Sequence, residues 1–319
     1  MHLAEGLETI DEVRPAITAS YAAAGPGVEA AEAGWARHVG DLVRERCGGR
    51  ARIGIERVNA RAALALAANG LRLSDAQAPV ERARAVKSAE ELACIRASIA
   101  ATEAGVARMR AALAPGLTEN RLWSILHESV IALGGEYVET RLLSSGPRTN
   151  PWFQETGERR VQGGDLVALD TDVVGSHGYY CDFSRTFHAG PGEPTARQRE
   201  LYRYAHEQVR ANLEVLRPSL AFREYAERAW PVPERFLANR CFCSAHGCGM
   251  TGEYPYLYHL VDFDEAGYDG VLEPGMTICV EGYIGEDGGE EGVKLEQQAL
   301  IRDDGIELLS TFPFEQTLL

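Results

Sequence analysis

The chain has 319 residues, 45% apolar and 25% charged, enough to bury one substantial core and a small second domain. Its formal net charge of −15 and pI near 5.1 argue against nucleic acid as a partner, because a polyanion demands a clustered basic surface. No run of about 18 apolar residues is available to span a membrane, and residues 1–11, with Glu5, Glu8 and Asp11, lack the basic and apolar stretches of a leader, so the expected location is cytoplasmic.

Residues 18 to about 46 are alanine-rich with helical periodicity. Arg52–Ile55 reads as a short apolar strand and Ala60–Ala68 as a helix, which together make a compact α/β fragment. Charged and polar residues dominate 80–91, and the domain boundary is placed there, giving a small domain over 1–85 and a larger one over 86–319. Two amphipathic helices follow, Ala89–Ala112 and, past the stop signal Ala114-Pro115-Gly116, residues 118–133 with Thr118 at the N-cap. After Gly134 the pattern changes to short β segments between glycine-rich turns: 142–145, 166–174, 179–187, 277–284, 292–301 and 307–310, interrupted by one long helix over 195–216. These segments predict an α+β domain with a curved antiparallel sheet backed by helices.

The seven cysteines (Cys47, Cys94, Cys181, Cys241, Cys243, Cys248 and Cys279) are an odd set without the spacing of a disulfide framework, which suits a reducing compartment and buried thiols. Cys241, Cys243, His246 and Cys248 lie close together, but a structural zinc site pairs a C-x2–4-C turn with a distant second ligand pair, so a C-x-C in an apolar stretch reads as core.

The carboxylates carry the chemistry. In Leu166-Val167-Ala168-Leu169-Asp170-Thr171-Asp172-Val173-Val174 two acids sit at i and i+2 of an apolar strand and are expected on one face. Burying two like charges together is costly unless something positive lies between them. After the turn at Gly175-Ser176-His177-Gly178, hairpin counting brings Asp182 roughly opposite Asp172. Glu281 and Glu296 flank a turn whose midpoint falls between Gly288 and Gly289, which makes them cross-strand neighbours, and like charges in that arrangement make sense when cations neutralise them. With His246 these residues form an oxygen-rich shell suited to a bridged pair of divalent ions such as Fe, Mn, Zn or Co.

The segments VQGGDLVALDTDVVGSHGYYCDFSRTF, HGCGMTGEYP, LEPGMTICVEGYIG and EGVKLEQQALI resemble, in order, the metal-ligand blocks of the creatinase/prolidase/methionine aminopeptidase superfamily. The resemblance covers about residues 88–319 and implies the pita-bread fold, a shortened creatinase-like N-terminal domain, and metal-ligand roles for Asp170, Asp172, Asp182, His246, Glu281 and Glu296. RLLSSGPRTNPWFQE, the Asp170/Asp172 doublet, the gap to Asp182 and EGVKLEQQ point within it to the dimethylsulfoniopropionate lyase-like branch. It further implies two divalent ions per chain, a homodimer and a small-molecule substrate.

The chain departs from both known chemistries of the superfamily. Asn150-Pro151-Trp152-Phe153-Gln154 stands where peptidases keep a catalytic histidine, and Glu253 where they keep a second. The lyase-like relatives carry a tyrosine and an aspartate where this chain has Cys241 and Gly252. Glu253 is therefore the expected catalytic acid–base and the ionisable group nearest the ligands. Arg148, Asn150, Trp152 and Tyr180 are the expected substrate contacts, Arg148 through a fork-like grip on a carboxylate. The expected activity is elimination at a C–S or C–N bond, or hydrolysis of an amide-like bond. An Xaa-Pro aminopeptidase or dipeptidase is the first alternative, and a catalytically silent binding domain of the same fold the second.

Overall fold

The computed structural model describes residues 4–49 and 52–319, so the start of the stretch read for a leader, residues 1–3, lies outside it. The chain divides into two compact units, Met1–Glu81 and Arg82–Leu319.

The first unit contains helices α1 (Tyr21–Ala24) and α2 (Val28–Cys47), strand β1 (Arg52–Ile55), helix α3 (Ala60–Ala68) and strand β2 (Arg72–Asp75). The two strands pair in parallel, with Ala36, Leu66 and Leu71 at the centre of the core. The division between units falls within helix α4 (Gln77–Ala85), so the polar stretch expected to be a linker begins as helix.

The second unit opens with α5 (Ala89–Ala112) and α6 (Glu119–Ala132). Ser88 and Glu91 form a reciprocal capping box at the start of α5, and Thr118 accepts a hydrogen bond from the Arg121 backbone N–H at the start of α6. Short strands follow: β3 (Tyr137–Val138), β4 (Leu143–Ser145), β5 (Leu166–Asp170), β6 (Val173–Val174), β7 (Tyr180–Cys181) and β8 (Ser184–His188). They form two three-stranded antiparallel sheets, β3-β6-β7 and β4-β5-β8. The run expected to be continuous over 166–174 is broken at Thr171-Asp172, where Asp172 has a left-handed φ of 38°.

Helix α7 (Ala196–Val215), capped by a Thr195/Gln198 box, leads through α8 (Phe222–Arg228) to β9 (Ala245–Cys248), β10 (Gly252–Leu257), α9 (Leu260–Ala266), β11 (Thr277–Gly285), β12 (Gly292–Arg302) and β13 (Gly305–Leu308). These strands form one antiparallel sheet in the order β10-β9-β11-β12-β13. Strands β11 and β12 are buried on both faces. Ile278, Val280, Ile284, Val293 and Leu295 share one core with Leu201, Ala205 and Val209 of α7, while the alternate residues Cys279, Glu281, Lys294 and Glu296 point the other way. A strand that is apolar on one side and acidic on the other, yet dry on both, marks where the site lies.

Candidate metal centre

Three backbone devices bring the acids together. Glu281 and Glu296 are direct register partners on β11 and β12, as the turn symmetry requires. Asp170 ends β5, and the left-handed turn at Asp172 lets both carboxylates reach one pocket although the strand does not continue through them. Val173 pairs with Cys181, so Asp182 follows in register from Asp172 across the β6–β7 hairpin. His246 arrives on β9, opposite Cys279 of β11.

All six expected ligands line a cavity of about 390 Å³. His246 Nδ1 donates to the Gly247 carbonyl at 2.9 Å, which directs Nε2 towards Asp182 (3.6 Å) and Glu296 (3.5 Å). Ser184 Oγ lies 2.7 Å from both Asp170 Oδ1 and Glu296 Oε2, and Thr140 Oγ1 donates to Asp172.

One cation is already built in. Lys294, 1% exposed, places its ammonium 2.8 Å from Glu296, 3.1 Å from Glu281 and 3.2 Å from Asp170, and 5.7 Å from the centre of the Trp152 ring. Burial works against charge throughout this cluster, and the outcome depends on how far Lys294 and His246 together offset it. Glu296 is held down to about 2 despite its burial, by Lys294 and His246. Glu281 is lowered for the same reasons. Asp172 is pushed up to about 7 by burial and by Asp170, and Asp182 well above the carboxylate range by burial and Glu296. The His246 ring is disfavoured as a cation by burial, but Glu296 and Glu281 outweigh this and raise it to about 10.

The donors fit divalent ions. Asp182 Oδ1 is buried without a hydrogen-bond partner and Glu296 Oε1 faces only His246 Nε2 at 3.5 Å, so both have acceptor capacity that a cation would satisfy. With Asp170, Asp172, Glu281 and the His246 imidazole around them they form a hard, anionic shell.

Of the remaining expected site residues, Trp152 and Tyr180 line the cavity. Arg148 and Asn150 are directed elsewhere. Arg148 pairs with the buried Glu119 and donates to the Glu155 carbonyl at 2.7 Å. Asn150 pins the β11–β12 turn, donating to the carbonyls of Glu286 (2.7 Å) and Gly289 (2.8 Å) and accepting from the Tyr283 hydroxyl. The expectation for Glu253 is corrected by the geometry. Glu253 follows the cavity-lining Gly252 on β10 and so points to the opposite face, where Lys87 and Arg84 hold the carboxylate, and Lys294 is the ionisable group nearest the ligands. Gly249 carries no side chain because a Cβ there would lie 2.4 Å from Glu253 Oε1.

The sequence reading passed over Lys294 and Ser184 and took Cys243 as core. Strand alternation was the usable signal for Lys294, two residues before Glu296 on the same face. Cys243 donates to Glu281 Oε1 across 3.1 Å, and Tyr256 stacks on His246 with ring centres 5.7 Å apart.

A model of metallopeptidase family M24 matches residues 93–303. The chain belongs to metallopeptidase family M24. This M24 chain is 37% identical to a dimethylsulfoniopropionate lyase DddP of Roseovarius nubinhibens over 92% of its own length and 67% of that protein's. It is 28% identical to a probable dipeptidase PepE of Mycobacterium tuberculosis, over 74% of this chain and 61% of the relative. Among solved structures, an Xaa-Pro dipeptidase from Bacillus anthracis superposes with a TM-score of 0.76 at 22% identity, covering 88% of this chain and 77% of that one. The M24 chain therefore has the pita-bread fold and is a metal-dependent enzyme of that family. Among the described residues no helix is long and apolar enough to cross a membrane.

Proposed function

We propose that this M24 enzyme is a lyase that eliminates a neutral sulfide or amine from a small β-onium carboxylate, with two divalent ions held by Asp170, Asp172, Asp182, His246, Glu281 and Glu296. The observation that carries this reading is the wall around the acidic floor. Trp152 and Tyr256 form its sides, Phe153 and Phe242, 60% and 55% exposed, stand at its mouth, and Glu139 and Glu155 add negative charge at the rim. Aromatic faces with carboxylates behind them bind a sulfonium or quaternary ammonium group by cation–π attraction and charge. The similarity to DddP supports the same class.

The ions, when bound, supply Lewis acidity towards the substrate carboxylate. Proton transfer falls to Tyr256. A Cβ at Gly252, where relatives carry an aspartate, would lie 3.3 Å from the Tyr256 hydroxyl, so the phenol fills the space that side chain would enter. Burial, with Cys243 and Glu281 nearby, pushes the phenol up to about 12. Divalent ions held by the ligand cluster would act in the opposite direction and favour the phenolate, the form in which the Tyr256 oxygen accepts the proton from the substrate carbon. The C–H pair becomes the new double bond, and the C–S or C–N bond breaks with its electrons on the leaving group.

The test is a substrate panel on metal-replete protein: dimethylsulfoniopropionate, its trimethylammonium analogue and Xaa-Pro dipeptides. Elimination products are expected, and hydrolysis of the dipeptides without elimination would overturn the reading. Tyr256→Phe is expected to lower kcat by about 10²-fold at unchanged metal content. A homodimer and a cytoplasmic location are proposed from the resemblance, and light scattering checks the first.

A further inference from the structure

Cys279 sits two residues before Glu281 on β11, on the same face of the strand, and its register partners are His246 on β9 and Gln298 on β12. Its thiol is fully buried, and Sγ lies 3.5 Å from the Asp182 carbonyl oxygen. One donor atom from each of Asp182, His246, Cys279 and Glu296 falls within 4.8 Å of the other three. Donors that bind one ion at about 2.0–2.3 Å stand at most about 4.6 Å apart across it, so this quartet is gathered on the scale of a single ion's ligand shell and contracts to bind one.

Two further observations point to a ligand at this spot. Asp182 Oδ1 is buried without a hydrogen-bond partner and Glu296 Oε1 faces only His246 Nε2 at 3.5 Å, and both residues belong to the quartet. The hydrogen bond from His246 Nδ1 to Gly247 leaves Nε2 directed between those two carboxylates. Cys243 is differently placed, its thiol bonded to Glu281 Oε1 outside the quartet.

We propose that the position shared by Asp182, His246 and Glu296 takes its ion with the Cys279 thiolate as an additional ligand, which makes it an N/O/S site selective for zinc, cobalt or ferrous iron over manganese or magnesium. A thiolate binds borderline ions and contributes little to hard ones. On binding, the thiol proton is released to solvent and the sulfur pair is donated to the ion. The proposal concerns metal binding alone, so its failure is separate from failure of the elimination reading.

The probe is cobalt(II) added anaerobically to the metal-free full chain, followed by absorption. The wild type is expected to show a near-ultraviolet thiolate-to-cobalt charge-transfer band, Cys279→Ser to lose that band while keeping the visible cobalt transitions, and Cys243→Ser to keep both. The selectivity for zinc over manganese in competition is expected to fall by at least about 10-fold in Cys279→Ser. A wild-type cobalt form without the band, or a band that survives in Cys279→Ser, overturns the proposal. Should the serine variant fail to fold, zinc K-edge absorption on the wild type decides: a sulfur scatterer near 2.3 Å supports the thiolate, and a shell of nitrogen and oxygen alone overturns it.

Discussion

Lys294 shows how the protein manages a dense carboxylate cluster before any metal arrives. Its ammonium touches Asp170, Glu281 and Glu296, so removing it leaves buried anions uncompensated. Lys294→Met is expected to destabilise the metal-free protein by about 3–5 kcal/mol, as breaking a buried charge pair does. Saturating zinc should restore much of that loss, and urea midpoints with and without chelator measure both effects. A second residue responds to pH. His259 is buried, and burial lowers its pKa below the usual imidazole value while its Nε2 bonds the Cys241 carbonyl. The unfolded chain therefore takes up a proton that the folded chain resists. The stability this contributes is complete above about pH 6.5 and is lost progressively as pH falls below it. His259→Gln is expected to flatten that part of the stability profile in chemical denaturation from pH 7 to 5.

At the scale of elements, the β11–β12 hairpin is the part on which the site depends most, because it carries Glu281, Lys294 and Glu296 and aligns Cys279 with His246. Its turn is held from outside by Asn150, through the carbonyls of Glu286 and Gly289. Asn150→Ala removes the side-chain donor to the Glu286 and Gly289 carbonyls, while the Tyr283 hydroxyl keeps its bond to the Thr149 carbonyl, so the cost is about 0.5–1.5 kcal/mol for each hydrogen bond lost. Stability and metal affinity are expected to fall together in this variant. A loss of substrate affinity at normal stability and metal content would return Asn150 to the substrate contacts the sequence suggested. The β9–β10 hairpin shows the opposite case: Gly247 and Gly249 let neighbouring groups approach closely, and alternation along β10 sends Glu253 to Lys87 while Gly252 and Tyr256 face the cavity.

For the whole molecule, metal and folding are linked. The Asp170, Asp172 and Asp182 carboxyls are all raised, so they must release protons as ions bind. Metal affinity is therefore expected to tighten as pH rises through about 7 for Asp172, with proton release measurable by calorimetry in buffers of different ionisation enthalpy. Free metal at a hundred times its Kd should add about 2.7 kcal/mol to stability, and chelation should remove it. Unchanged thermal unfolding on chelation would show that Lys294 and His246 alone balance the cluster.

Local order was readable along the chain because it repeats at short range. Ala60–Ala68 and Ala89–Ala112 have the limits their periodicity predicts, and the Glu281/Glu296 pairing follows from the symmetry of a single turn. The acids and the lone histidine indicated the superfamily only together with the segments that flank them, which resemble its metal-ligand blocks. The strands β9 and β10 were not legible, since Ser244-Ala245-His246-Gly247-Cys248-Gly249 has too many small residues for alternation to appear. Nor could the chain alone decide which side chains meet. Whether Glu253 faces the cavity depends on the register of β10 against β9 and on Lys87, far away in sequence, and Cys279 reaches the ligands only through pairing with β9. Periodicity specifies which faces a strand has, but only long-range register, set when the sheets and helices pack together, determines what each face meets.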